Sequence, residues 1–327
     1  MHFESSATVC QRANAAWEKD AGQNRRVVLL YALPALVLPI LVTAINLILE
    51  GQLANTGGLS DIGIRSTLQT VQTVLNFTIR VFLPFWQLGL LYNAMQISRG
   101  LSAQPKNLLE GFRRWGAALR LMLLRTLRYM AAMFVGVFLG SLIYTATPLS
   151  NSFVNTITQI TQDPTFANAT AEEIMAVQLD RLSFWDIGLF YGLCVLGAAV
   201  FTIPVFYRYR MSDYALLDSE KPGAFQALHE STFLMQGNRM SLLKLDLHLW
   251  WYYLLLFVST FVSYADLLFP AAGIALPFSE EWALMIFTLF SAILQFILYY
   301  LFRGQVETVY ACVYDALKKP EGGDQTR

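Results

Sequence analysis

The sequence predicts an all-α fold: a polytopic membrane helix bundle of six transmembrane helices, both termini cytoplasmic, with amphipathic helices at the interface. Three observations predict it. The chain is 55% hydrophobic and only 14% charged, where a soluble domain carries nearer a quarter charged residues. Six apolar segments recur at about 27–49, 73–97, 129–147, 184–207, 245–264 and 283–302, matching the roughly 20 helical residues that a hydrocarbon core of about 30 Å requires. Finally, 20 of the 23 Lys and Arg residues fall in 1–26, 98–128, 208–244 and 303–327. Short basic loops stay in the cytoplasm, so these four segments share one side. The opposite loops hold Arg65 and Arg181 among acids such as Asp61, Asp163, Glu172 and Glu280.

The organisation that follows is a cytoplasmic N-terminal segment (1–26), a six-helix membrane domain (27–303) and a cytoplasmic C-terminal tail (304–327). The first segment is polar and carries Arg12, Lys19, Arg25 and Arg26. A cleaved signal would place its apolar stretch nearer the start, so 27–49 reads as a retained span. Pro34, Pro39, Pro84 and Pro204 lie within the apolar segments, where packed membrane helices tolerate them as kinks.

Between the second and third spans, Leu108, Phe112, Trp115 and Leu119 recur at helical spacing beside Arg113, Arg114 and Arg120. This suits a basic amphipathic helix on the inner leaflet, where each basic residue adds about 1 kcal/mol of attraction to anionic lipid. It equally suits a cytoplasmic extension of the third span packed on its neighbours. In the outer loop, Thr170 with Glu173 forms a capping box ahead of Met175, Leu179 and Leu182, which predicts a short surface helix over 170–182.

The fourth and fifth spans are joined by an elbow. Lys221-Pro222 opens a helix, Gly237 stops it in a position that tolerates positive φ, and Ser241 reopens it into the fifth span. Residues 207–253 carry Tyr207, Tyr209, Tyr214, Pro222, Ala227, Leu228, Ser231, Met235, Gly237, Arg239, Asp246 and Trp251. This block resembles the bacterial integral-membrane family catalogued as domain of unknown function 975. The Glu307-Thr-Val-Tyr-Ala-Cys-Val-Tyr314 segment is similar to that family's closing stretch. The chain departs from the pattern at His248 and Leu249 and in the long acidic loop 148–183. The resemblance implies the architecture and a bacterial plasma-membrane location, and no mechanism.

Ionisable side chains within spans are costly, by about 2.5–3.5 kcal/mol on insertion scales. Arg80 stands some seven residues into the second span from its outer end, on one helix face with Asn76, Pro84 and Gln87. This stripe reads either as one wall of a hydrated cavity for an anionic substrate or head group, or as an arginine that snorkels outward or pairs with Asp186 or Asp266. Trp250, Trp251, Tyr252 and Tyr253 form an aromatic belt at the start of the fifth span, as amphipathic rings prefer.

Zero net charge removes an overall basic field for nucleic acid. Cys10, Cys194 and Cys312 are too scattered for a disulfide framework or a zinc site,. No HExxH, GxSxG, P-loop or GxGxxG pattern occurs, so the expectation is no enzyme, no cofactor and no metal. The reading is a non-enzymatic scaffold or accessory component of a membrane complex, in contact with the lipid bilayer, anionic inner-leaflet lipid and either another membrane protein or a second copy. The alternative is a small transporter or lipid-handling protein with a polar path lined by Arg80.

Overall fold

A computed structural model of the chain describes residues 6–54, 61–148, 150, 151, 155, 158, 184–220, 223–265, 269 and 280–318. These residues form helices and turns, with no strand among them. In chain order the helices are α1 (Ser6–Glu18), α2 (Ala21–Ala54), α3 (Asp61–Ser98), α4 (Glu110–Arg113), α5 (Trp115–Thr145) and α6 (Phe184–Arg208). They continue with α7 (Ser212–Asp218), α8 (Ala224–Leu234), α9 (Arg239–His248), α10 (Trp250–Val262), α11 (Glu280–Leu298) and α12 (Gly304–Lys318). Four of the described helical stretches are long and apolar enough to cross a membrane, and a fifth is added if the bent pair α9–α10 counts as one. The helix predicted over 170–182 lies outside the described residues.

The chain divides into two compact units, residues 1–119 with 211–327, and residues 120–210. The first is organised around α12. Val306, Val309, Tyr310, Val313, Tyr314 and Leu317 recur at three- and four-residue spacing and are buried, as are Glu307 and Thr308 between them. A stripe of that spacing is the core face of an amphipathic helix, and full burial of each such aliphatic side chain contributes about 1.5–3 kcal/mol. Residues 304–318, in the segment expected as a cytoplasmic tail, form an enclosed helix packed on α1 and α3. The N-terminal segment, expected only as polar and basic, holds α1, whose Val9, Ala13 and Trp17 form a buried stripe. The Asn24 carboxamide donates to the Trp17 carbonyl at 2.8 Å and fixes the turn into α2.

The amphipathic segment at 105–128 does not form one helix. Pro105–Leu109 is a 3₁₀ turn, α4 follows, and the chain breaks at Arg114 before α5. Leu108 is buried and Phe112 packs on Phe82, Phe85 and Trp86 of α3, while Trp115 is 62% exposed. The segment lies against α3 at very close range: a Cβ at Gly89 would overlap the Leu108 carbonyl, and one at Gly111 would overlap that of Phe85. Only glycine at both positions lets the loop lie directly on α3. Buried Asn93 completes the fit, accepting from the Gln104 amide at 2.9 Å and from the Asn107 side chain at 3.2 Å.

The elbow of α7, α8 and α9 has the helix–turn–helix form that its residues predict. Gly237 adopts φ +81°, the left-handed conformation that ends a helix. Met211, Met235, Leu242 and Leu245 are fully enclosed. Pro222 lies outside the described residues. The expected continuous start of the fifth span is corrected: α9 and α10 meet at Leu249 with a bend of 65°. Asp246 therefore belongs to α9, and the belt opens α10 with Tyr252 buried and Trp251 edge-on to Phe302 at 4.9 Å.

In the second unit α6 lies against α5 at very close range. A Cβ on Gly197 would overlap the Gly136 carbonyl, and one on Gly136 the Gly197 carbonyl. Close backbone approach through small residues is how helices associate in lipid, where apolar surface gains little by leaving the solvent. The remaining faces carry exposed Phe134, Phe138, Val195 and Leu196.

Candidate functional site: a buried ion pair beneath a groove between three helices

Between α11 and α12 the chain makes a five-residue π-helical turn, Tyr299–Arg303. Such turns are rare and often mark functional positions. The turn ends at Gly304, where any side chain would strike the Trp17 ring and Val28. Arg303 is thereby carried into the interior. Its Nη2 lies 2.8 Å from Oε1 of Glu307, and both side chains are largely enclosed, at 14% and 8% exposure.

The phenols of Tyr31, Tyr252 and Tyr299 surround the guanidinium, with Nη1 3.5 Å from the Tyr252 hydroxyl and the Tyr299 ring 5.7 Å from Cζ. Tyr214, from the elbow, donates to the other Glu307 oxygen at 3.0 Å. A buried ion is tolerated when it is paired and its remaining sites are hydrogen-bonded. One site here is not: Nε of Arg303 is buried without a partner among the described residues.

Above this pair opens a groove of about 350 Å³ between α2, α3 and α11, walled by Tyr31, Pro39, Pro84, Gln87, Gln295 and Tyr299. Trp86 Nε1 donates to the Tyr31 carbonyl at 3.3 Å and locks α3 to α2 at its edge. The Gln87 and Gln295 carboxamides make no hydrogen bond among the described residues. An unpaired amide in an apolar setting costs about 1–3 kcal/mol, so both call for a ligand or solvent partner.

Of the polar stripe predicted from spacing, Gln87 lines the groove together with Pro84. Asn76 and Arg80 are on α3, and their side chains lie outside the described residues. So do the side chain of Asp186 and the whole of Asp266, the two expected partners. The helix register places Arg80 along α3. Hydropathy starts the segment at 73, but α3 begins at Asp61, about 28 Å of helix before Arg80 at 1.5 Å per residue. In the other direction Arg80 is only six residues, about 9 Å, from Trp86 and its bond to Tyr31.

The elbow residues join a second polar network. Arg99, at the end of α3, pairs with Asp218 of α7 at 2.8 Å and with Asp315 of α12 at 2.9 Å. Lys318 bridges Asp218 and Glu230, and the Tyr314 hydroxyl lies 3.2 Å and 3.1 Å from those carboxylates. Partial burial pushes the Asp218 carboxyl up, but the hydrogen bonds and charges of Lys318 and Arg99 outweigh it and hold the group below the ordinary carboxylate value. Arg114 donates to the carbonyls of Leu216 and Ser219 at 2.9 Å and 2.8 Å, capping α7 where a cation is favoured. Asp246 accepts from Tyr310, which also meets Tyr253. Ser231 is fully buried on α8, and Arg239 opens α9.

Arg303 and Glu307 carry the site although the sequence puts them on either side of the boundary between membrane domain and tail. Their signal is the i,i+4 spacing of opposite charges next to an apolar run. Among the described residues no group of three or more His, Cys, Asp or Glu is placed to hold a metal ion. No family model, curated protein or solved structure matches the chain, so the resemblance to domain of unknown function 975 rests on its own residues.

Proposed function

We propose that the chain is a bacterial plasma-membrane protein of six spans with both termini cytoplasmic, serving as a non-enzymatic scaffold or accessory component of a membrane complex. One observation carries the reading: the ionised groups of the first unit's core are largely spent on one another. Arg303 with Glu307, Arg99 with Asp218 and Asp315, and Lys318 with Glu230 are internal pairs. They fix α3, α7, α8 and α12 together, and among the described residues the groove wall carries no ionisable side chain except two tyrosines. A proton or ion path needs ionisable groups that change state within the membrane. A scaffold needs a fixed body and apolar faces that can take a partner or a second copy. Exposed Phe257 and Phe261 of α10, and Phe134 and Phe138 of α5, supply such faces.

Photo-crosslinking residues at positions 257 and 134 in native membranes test this. The expected result is one protein adduct of constant mass, and adducts to lipid alone overturn it. Topology is read separately from single cysteines in a cysteine-free background. Position 65 should label with an impermeant maleimide from outside, and position 106 only after lysis. The groove favours a second reading, lipid handling, because its two amides have no partner among the described residues.

A further inference from the structure

We infer that the groove between α2, α3 and α11 seats one glycerophospholipid, holding the ester region and upper part of an acyl chain against Gln87 and Gln295. The inference rests on α2, α3 and α11 lying in the membrane. The groove opens to its surroundings, and its wall is rings, prolines and Leu83 with two carboxamides among them. In a bilayer the surroundings of such a groove are lipid.

The polar groups are also arranged for an amphiphile. Trp86, Tyr31 and Tyr299 stand together at one end, the aromatic setting of a membrane–water boundary. Gln87 shares that level. Gln295, four residues before Tyr299, is one helical turn deeper, about 6 Å. Pro39 and Pro84 have no N–H, so the carbonyls of residues 35 and 80 lose their helical donor and add acceptors beside the groove. Carboxamide N–H groups match ester carbonyls, and the freed carbonyls match head-group hydroxyl or ammonium donors. Glu307 neutralises Arg303 beneath the groove, so recognition goes through the glycerol esters and not through head-group charge.

The test uses the full chain, purified from membranes in mild detergent, exchanged exhaustively, and analysed for bound lipid by mass spectrometry. Wild type is expected to retain about one phospholipid per chain, zwitterionic and anionic species alike. Gln87→Leu with Gln295→Leu should lower retention at least fivefold. Leu83→Trp fills the groove without touching an amide and should do the same, which keeps the test decisive if the double variant does not fold. Phe257→Ala, on an exposed face, should retain lipid as wild type does. Equal retention in all variants, meaning annular lipid only, overturns the inference, as does a lipid-free wild type. Release of the protein by alkaline carbonate would instead sink the membrane reading, whereas a membrane-retained protein that purifies lipid-free sinks only the groove.

Discussion

In the α5–α6 hairpin, Gly136 meets Gly197 backbone to backbone, and Phe134, Phe138 and Tyr191 face outward. Around α12 the reverse holds: tyrosines, valines and even Glu307 are enclosed, and ion pairs tie four helices together. The two regions use different physics for the same task. Apolar surface gains nothing by leaving lipid, so a membrane hairpin depends on close van der Waals approach. A region built in water gains from burial and can then hold charged groups, provided each is paired. A single chain thus carries one packing scheme suited to lipid and another suited to water.

The largest effect should come from unpairing the buried charge. Glu307→Ala leaves Arg303 enclosed without its carboxylate, and losing one partner of a buried pair costs about 3–5 kcal/mol. Thermal unfolding in detergent should show that loss, with the change confined to the α12 core. The joint replacement Arg303→Met with Glu307→Leu removes both charges and should recover most of it. If the double variant is as unstable as the single, the pair is not what holds α12.

Glycine substitutions sharpen the contrast at the next level. Gly197→Ala forces α5 and α6 apart because the obstructing atom is a backbone carbonyl. Gly304→Ala meets the end of the Trp17 ring and a Val28 methyl, which can shift. Overpacking of either kind costs about 1–3 kcal/mol. Gly197→Ala is expected at the upper end and Gly304→Ala at the lower, measured by SDS titration in mixed micelles. The opposite order would mean that the α12 core is the less forgiving of the two.

The ion-pair network adds a pH term to the α12 region. Asp218 is held below its ordinary value in the folded protein. A carboxyl with a lowered folded value binds its proton more readily unfolded, so its stabilisation is present above about pH 4 and is lost as pH falls through the folded value. Wild type should therefore lose unfolding midpoint between pH 5 and pH 3, and Asp218→Asn should flatten that slope. Parallel slopes would assign the acid sensitivity to other carboxyls.

What could be read ahead of the structure follows this same division. Continuous apolar runs and the positive φ of Gly237 are local, so hydropathy and turn chemistry reach them. The all-helical architecture and the form of the elbow were legible for that reason. Hydropathy did not reveal that the C-terminal segment packs, because Val306 to Leu317 is an amphipathic stripe with polar residues between. Hydropathy also leaves out the start of α3, which begins twelve residues before the apolar run. Tyr214 was legible as part of the elbow, yet its partner Glu307 is 93 residues away. Contacts at that separation depend on tertiary packing that no local pattern encodes. Gln87 was found from its helical spacing to Pro84, but Gln295 shares its groove from another helix.

The smallest effect tests whether the hairpin unit also uses charge. At its basic end Tyr209 is buried, with Arg128 Cζ 4.9 Å and Arg208 Cζ 5.6 Å from the ring centroid. A guanidinium over an aromatic face contributes about 0.5–1 kcal/mol where it stays partly hydrated. Arg128→Gln should remove that amount, while Arg128→Lys keeps the charge but not the planar stacking and should recover only part. Both variants retain Gly136 and Gly197, so SDS titration reports the ring contact separately from the backbone contact. A loss above 2 kcal/mol in Arg128→Gln would show that the hairpin depends on charge as heavily as α12 does. A loss below 1 kcal/mol leaves glycine contact as the main force between α5 and α6.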